Sequence, residues 1–538
     1  MSTMLAKPAD DQLPPAPVTS MNAARRCLSP DSLAASVAVL LIVTVVQRTV
    51  GFGRGILFCR WLTPEELGQW EMAYSFLLLA APVVVLGLPG SFGRYLERFR
   101  QRGQLRTFLR RASIWTAALT AVAIFTIVAL APTFSHIVFG QPDQLTLVWM
   151  IAASLVAVIL HHFLEALFAA LRKFRIVSAM HFCQSVTFAA VSLGLMWCWR
   201  SAAESIIVGY GVACVISAVG TLLLTHRSLA EEAVPDDAVS HAQFWPPLLR
   251  FAIWVWVTNL LCHLFGIVDR YMLVHWSGMD AATALAQVGH YHASRLIPLL
   301  FLSVADLLAG AVMPYMSHDW EAGERGRISD RLNLVLKMSS LGMFAGGVAV
   351  LWAAPLLFRV AFQGRYDDGL AILPWTLTYC LWYSLLIIAQ NYIWCAERGR
   401  IGTVPLALGL GVNVVLNLFL IPAWGLFGAV VATTFSTGLA LAAIYWINRR
   451  AGMNLQPGMI LLTIAAAALC GGVASATIGL VAIAVSLAFS RTLLTQSERE
   501  LIADLVRTNL ANLTAGLVKK ASYVRVRRAA KSEIMPPV

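Results

Sequence analysis

The chain is built mainly from long apolar runs, which are separated by short charged or Pro- and Gly-containing segments. A helix needs about 20 residues to cross the hydrocarbon core of a bilayer, and each of the first twelve runs reaches this length. They cover residues 33–58, 69–90, 112–131, 145–171, 176–199, 204–225, 249–275, 287–315, 332–361, 369–395, 401–421 and 425–447. Because a backbone inside lipid must satisfy its own hydrogen bonds, this pattern predicts an all-α integral membrane protein.

A thirteenth apolar block covers residues 458–490 and contains Gly471 and Gly472 near its middle. The block is too long for one ordinary span, so we predict that it forms two short C-terminal transmembrane helices. The expected total is 14 transmembrane helices, with 12 as the alternative count.

The two ends of the chain differ from this apolar centre. Residues 1–32 contain five prolines and no apolar core, which predicts a disordered cytoplasmic tail and not a cleavable signal peptide. Residues 491–538 combine apolar positions at helical spacing with a cluster of Lys and Arg. This combination predicts an amphipathic, basic cytoplasmic tail that contacts membrane lipids.

The charge of the loops predicts the orientation of the chain. With the N-terminus placed inside, the loops between spans carry 20 Lys and Arg on the cytoplasmic side and 4 on the outer side. This bias predicts cytoplasmic N- and C-termini. The net charge of +12 is thus a property of membrane topology, and we expect no nucleic-acid partner.

A weak internal repeat divides the spans into two sets. The segment that begins at Leu67 resembles the segment at Val288, and the one at Ala170 resembles the one at Cys395. A parallel repeat of this kind predicts two six-helix lobes around a central cavity. The lobes would cover residues 33–225 and 249–447, joined by a polar cytoplasmic linker at 226–248.

Four arginines lie inside predicted spans and away from the span ends, where ionisable residues usually face a bundle interior or a watery cavity. They are Arg48 and Arg54 in the first span, Arg270 in the seventh and Arg295 in the eighth. Arg48 and Arg54 are separated by about 120° around an ideal helix. Both therefore reach one cavity only if that cavity is wide or the nearby glycines bend the helix.

Other polar residues also recur at helical spacing. Asn259, His263, Gly266 and Arg270 share one face of the seventh span, which predicts a face lined for water or ligand. Asp306 lies three turns after Arg295, on nearly the same face of the eighth span if that helix is continuous.

Three further sets of polar residues have two interpretations each. Asp269 is either a structural counter-ion for Arg270 or a site for a coupling cation, and we favour the counter-ion. His161 and Glu165 are four residues apart in the fourth span, which suits a buried hydrogen bond or a proton relay. Asn413 and Asn417, one turn apart, either line a polar face for water or ligand or form interhelical hydrogen bonds, and we favour the hydrogen bonds.

The charged residues of the spans favour an anionic guest. We count the four arginines against Glu165, Asp269 and Asp306. Because the planar guanidinium group matches phosphate bidentately, a diphosphate head group is the expected ligand. No phosphate-binding loop, catalytic triad or Cys/His metal-ligand spacing is present, so we predict neither enzymatic activity nor a cofactor or metal.

Several segments together resemble the Wzx-type polysaccharide flippases of the multidrug/oligosaccharidyl-lipid/polysaccharide exporter superfamily. These segments are residues 48–79, 268–273, 288–296, 364–369 and 413–436. The resemblance implies alternating access and translocation of an undecaprenyl-diphosphate-linked oligosaccharide across a bacterial inner membrane. The related lipid II flippases carry arginines on the helices that hold Arg48, Arg54, Arg270 and Arg295 here. A polysaccharide polymerase or chain-length complex is the partner that the resemblance suggests.

Two other functions fit a polytopic chain less well. A drug/cation antiporter of the same superfamily would need acidic cavity residues, and the arginine excess argues against it. A membrane glycosyltransferase or ligase would need a large outer loop, and no predicted outer loop is longer than about fifteen residues.

Overall fold

The computed structural model describes residues 30–232, 240–490, 492–496 and 498–500, and in this part of the chain it is almost entirely helical. The helices of the first half are α1 (Pro30–Trp61), α2 (Pro64–Val84), α3 (Phe92–Gln101), α4 (Leu105–Ala129), α5 (Ala131–Phe139), α6 (Leu145–Ala170), α7 (Phe174–Cys198) and α8 (Ala203–Glu232). Those of the second half are α9 (His241–Trp276), α10 (Ala281–Arg295), α11 (Leu299–Glu321), α12 (Arg325–Val360), α13 (Asp367–Cys395), α14 (Gly399–Gly402), α15 (Val404–Arg450), α16 (Pro457–Ala465) and α17 (Gly472–Phe489).

The prediction of an all-α membrane protein with two lobes is confirmed. Within the described residues, ten helices are long and apolar enough to cross a membrane, and no element is a strand. The predicted tails, 1–32 and 491–538, lie almost wholly outside the described residues. Of the predicted linker 226–248, the structure describes two helical parts, since α8 runs to Glu232 and α9 begins at His241.

The eighth predicted span is wrong as a single helix. Helix α10 ends at Arg295 and α11 begins at Leu299, so the helix is interrupted at residues 296–298. Proline has no N–H to continue the hydrogen-bond ladder of α10. Arg295 and Asp306 therefore do not share one helix face, because they lie on different helices.

The eleventh and twelfth predicted spans form the two limbs of α15. Gly425 has φ 56° and ψ −129° and interrupts the helix between them. A Cβ at Gly428 would lie 2.1 Å from the Leu420 carbonyl oxygen, so this tight bend requires glycine. Across the limbs, Asn413 donates to Thr433 Oγ1 at 3.1 Å, which confirms the predicted interhelical hydrogen bond for Asn413. Asn417 instead donates to Asn413 Oδ1 within the same limb at 2.9 Å.

The block 458–490 folds as the predicted pair of short helices. A 3₁₀ turn at Ala466–Gly471 joins α16 to α17, and Gly472 has φ +79°. The Ser475 hydroxyl donates to the Ala468 carbonyl oxygen at 2.6 Å, across the turn. The chain then returns to its starting side, because Gly458 lies against Leu493.

The two lobes pack tightly at the end that the charge bias places outside. A Cβ at Gly68 of α2 would lie 1.9 Å from the Leu285 oxygen, and one at Gly289 of α10 would lie 1.9 Å from the Pro64 oxygen. Such close backbone approach is possible only between glycine-bearing helix faces. Tyr366 adds a hydrogen bond of 3.1 Å to the Leu62 carbonyl oxygen, and the described lobes are closed at this end.

Helix α9 contributes to both halves of the bundle. Its residues Phe244 and Leu248 pack in a buried cluster with Phe92 and Phe108 of the first half. Its later residue Asp269 contacts Thr433 of the second half. Any movement of one lobe against the other must therefore bend or tilt α9.

The orientation of the bundle is testable at exposed loop positions. We expect single cysteines at Asp143, Met279 and Asp367 to react with an impermeant thiol reagent added outside, and cysteines at Arg102 and Arg450 to be protected, because of the positive-inside bias. Met279 is preferable to Asp280, whose carboxylate accepts a hydrogen bond from the Thr283 N–H and caps α10. The measurement is labelling in intact cells compared with opened membranes. The reverse labelling pattern would overturn the orientation.

Candidate functional site

A cavity of about 580 Å³ lies between the two lobes. Helices α1, α2, α7 and α8 form one wall, and α9, α10 and α11 form the other. All four arginines that were predicted to share a cavity line it, together with Glu71 and Asp306. With four guanidinium groups and two carboxylates, the lining carries a net charge of +2 when its histidines are neutral.

The two arginines of α1 reach the cavity at different heights. Arg54 lies over the ring of Phe188 on α7, with its guanidinium carbon 4.0 Å from the ring centroid. This cation–π contact holds the side chain without neutralising its charge. Arg48 precedes Arg54 on the same helix, and Asp306 of α11 lines the same cavity. Among the described residues, the ion pairs of the cavity involve Arg270 and Arg295 and not these two arginines.

The two arginines of the second lobe converge on one carboxylate of the first. Arg270 Nη1 lies 2.9 Å from Glu71 Oε1, and Arg295 Nη1 lies 3.7 Å from the same oxygen. His292 Nδ1 lies 2.6 Å from Glu71 Oε2. Only 7% of the Glu71 side chain and 5% of the Arg270 side chain are exposed. We call Glu71, Arg270, His292 and Arg295 the inter-lobe cluster, because Glu71 belongs to α2 and the others to α9 and α10.

One prediction about charge is corrected by this cluster. The favoured counter-ion of Arg270, Asp269, is wrong, because Glu71 pairs with the guanidinium group. The Asp269 carboxylate instead accepts hydrogen bonds from the Tyr291 hydroxyl at 2.8 Å, from the Arg270 backbone N–H at 2.9 Å and from Thr433 at 3.3 Å. The alternative role, a coupling-cation site at Asp269, stays a prediction.

Only some residues of the predicted polar face of the seventh span line the cavity. His263, Gly266 and Arg270 line the cavity, whereas Asn259 is exposed and lies outside its lining. Asp306 lines the same cavity as the four arginines, but it does so from α11 and not from the helix that carries Arg295.

His161 and Glu165 lie inside the first lobe and not in the cavity lining. The predicted contact between them is replaced by two others. Glu165 Oε2 lies 3.0 Å from His162 Nδ1, and Oε1 lies 3.0 Å from His181 Nε2 on α7. A carboxylate with two histidines is a polar centre of its own, separate from the four arginines.

Sequence reasoning missed Glu71 and His292, although the signal for Glu71 was present. It is an ionisable residue inside the apolar run 69–90, and the rule that directed attention to the arginines applies to it equally. His292 gives no comparable signal, because its role depends on a carboxylate 221 positions away.

Comparison with known proteins gives a family match over more than half of the chain. Residues 33–320 match the family described as "Polysaccharide biosynthesis protein". The lipid II flippase MurJ of Bacillus subtilis is 20% identical over 469 residues, which cover 78% of this chain and 83% of the flippase.

Solved structures give the same fold. The lipid II flippase MurJ in an inward closed conformation aligns with a TM-score of 0.65 at 12% identity, over 90% of this chain and 100% of that chain. An inward-facing multidrug resistance MATE family transporter of the MOP superfamily aligns with a TM-score of 0.56 at 13% identity, over 78% and 98%. The two-lobe fold is therefore shared by flippases and drug transporters, so the fold does not distinguish their substrates.

Proposed function

The chain belongs to the polysaccharide biosynthesis protein family, and from that premise we propose that it moves an undecaprenyl-diphosphate-linked oligosaccharide from the inner to the outer leaflet by alternating access. At the coarser level, it is a multi-pass membrane transporter of the flippase superfamily. The observation that carries the finer proposal is the cationic cavity between the lobes.

The charge of the cavity suits this substrate. A diphosphate with a lipid on one side and a sugar on the other carries about two negative charges, one for each phosphate. The lining has a net charge of +2, and four guanidinium groups can form paired hydrogen bonds to phosphate oxygens. The volume of about 580 Å³ lies within the ~300–1,000 Å³ range of ligand pockets. A cavity of this size accommodates the charged head group. The prenyl chain stays in the bilayer, where no free energy is needed to solvate its apolar surface.

The inter-lobe cluster suggests how binding is coupled to movement. Arg48 and Arg54 are not paired with a carboxylate within the described site, so they meet an incoming diphosphate first. Arg270 and Arg295 are held by Glu71, and a diphosphate that reaches them competes for the same guanidinium groups. Because Glu71 ties the first lobe to the second, its displacement weakens the closed end. The guest thus stabilises the state that releases it on the other side, as population shift requires.

The same charges disfavour a drug/cation antiporter. A cationic drug would meet four arginines in this cavity. Among the described residues, the lining offers the drug two carboxylates, Asp306 and Glu71, and Glu71 is already paired with Arg270. For this reason we propose a lipid-linked anion as the cargo. We also propose a bacterial inner-membrane location and a polysaccharide polymerase or chain-length complex as the acceptor of the flipped product.

The proposal is tested by the distribution of lipid-linked glycan between leaflets. In cells depleted of the protein, we expect the diphosphate-linked oligosaccharide to accumulate in the inner leaflet, protected from an impermeant glycosidase added outside. Re-expression of the wild-type chain should restore cleavage. Unchanged cleavage after depletion, together with altered sensitivity to cationic drugs, would favour the antiporter instead.

A further inference from the structure

A second polar centre lies in the first lobe, outside the cavity. It consists of His161, His162 and Glu165 on α6 and His181 on α7, and we call it the histidine cluster. A ring nitrogen of His161, a carboxylate oxygen of Glu165 and a ring nitrogen of His181 all lie within 4.8 Å of one another. Sequence spacing placed His161 near Glu165 but gave no hint of His181, because His181 lies on another helix.

The hydrogen bonds of the histidine cluster do not explain the position of one member, His161. Glu165 shares its two oxygens between His162 and His181, each at 3.0 Å. His161 is only 1% exposed, and its Nδ1 is buried without a hydrogen-bond partner. A buried imidazole nitrogen without a hydrogen-bond partner is destabilising, so an isolated hydrogen-bond network does not account for the placement of His161.

From this geometry we propose that His161, Glu165 and His181 form a binding site for a divalent transition-metal ion of the zinc class. Two imidazoles with one carboxylate are a common protein ligand set for Zn²⁺, and water takes the fourth position. Bonds of about 2.0–2.2 Å place tetrahedral ligand atoms roughly 3.4 Å apart, so separations of up to 4.8 Å need to close by at most about 1.4 Å.

The surroundings of the cluster fit the needs of such a site. His162 holds the second oxygen of Glu165, as outer partners do for carboxylates that bind metals. The side chains of Glu165 and His181 are 28% and 34% exposed, which leaves a path for the ion and its water. Glu165 lies five residues before the end of α6, so the site is near one end of the helix and not at mid-membrane.

A bound ion would act on the wall of the cavity. Gln184 and Ser185 line the cavity from α7, and they follow His181 by about one helical turn. A metal bridge between His181 and α6 would fix that turn. The ion would also add positive charge beside the cavity, as the four arginines do.

The test uses the full chain, purified in detergent with a tag that contains no histidine and stripped with a chelator. Zn²⁺ alone is then added, free metal is removed, and bound zinc is measured by elemental mass spectrometry. We expect about one zinc per chain for the wild type, and at least about tenfold weaker binding for Glu165→Gln and for His181→Ala. The matched control is the double variant His136→Ala/His275→Ala. It removes a stacked histidine pair whose ring centroids are 5.5 Å apart, and it should keep its zinc.

A second measurement does not depend on any variant. Co²⁺ added to the stripped wild-type protein should give the intense visible bands of a four-coordinate site, and Zn²⁺ should abolish them. Either of two results would overturn the proposal: a wild-type protein that retains no zinc and shows no such bands, or zinc that is retained equally by the Glu165→Gln variant. Neither result bears on the glycan that the transporter carries, because the leaflet assay measures that separately.

Discussion

Replacing Arg48 or Arg54 by alanine is expected to reduce flipping of the lipid-linked oligosaccharide about tenfold to a hundredfold, while the protein still accumulates in the membrane. Each charge-assisted hydrogen bond to a phosphate contributes roughly 1.5–3 kcal/mol, which corresponds to this loss. Neither arginine belongs to the inter-lobe cluster, so their removal leaves no buried carboxylate unpaired. The measurement is the rate at which glycan becomes accessible outside, divided by the amount of protein.

Two other substitutions, Arg54→Lys and Arg60→Ala, serve as controls for this prediction. Arg54→Lys keeps the charge and loses the planar fork, so it should retain part of the activity. Arg60→Ala removes an exposed arginine of the same helix that lies outside the cavity lining, and it should behave as the wild type. The assignment of the arginines to the diphosphate is wrong if Arg48→Ala and Arg54→Ala both accumulate normally and flip at wild-type rates.

The second large effect is expected at Glu71. Glu71→Ala leaves Arg270 and Arg295 without their shared carboxylate, and these side chains are only 5% and 14% exposed. Removing one partner of a buried ion pair typically costs about 3–5 kcal/mol, so we expect a clear fall in the thermal unfolding midpoint and loss of transport. The double variant Glu71→Met/Arg270→Met should be more stable than Glu71→Ala, because it leaves only Arg295 without the shared carboxylate, whereas Glu71→Ala leaves two buried arginines unpaired. Equal stability of Glu71→Ala and the wild type would show that the cluster does not hold the lobes.

A charge-neutral variant separates the movement of the lobes from electrostatics. Gly289→Ala places a Cβ against the Pro64 carbonyl oxygen, so the closed end must separate. We expect a cysteine at Leu78, which lines the cavity, to become reactive from outside in this background. Gly310→Ala is the matched control, since nothing lies within 4 Å of its added Cβ. Equal protection of the Leu78 cysteine in both backgrounds would contradict a seal at Gly289.

The sequence by itself determined that this protein lies in a lipid bilayer, and it determined much of the order of the helices. Runs of about 20 apolar residues leave a backbone in lipid no alternative to the helix, so the bounds of α1, α6, α7 and α13 follow closely from the apolar runs. The four arginines could be assigned to a cavity for a similar reason, because a guanidinium group stays charged and lipid does not solvate it.

The partners of those charges were decided only by the tertiary structure. Asp269 adjoins Arg270 in the sequence and yet pairs with Tyr291 and Thr433, whereas Glu71, from the other lobe, holds Arg270 and Arg295. Periodicity defines which residues share a face of one helix, but it carries no information about which face of another helix lies opposite. The same limit hid the meeting of His181 with Glu165, and the break at Pro298 shows that even a shared face depends on an uninterrupted helix. In a bilayer the packing of small residues such as Gly68 and Gly289 sets these pairings, and that packing forms only when the helices assemble.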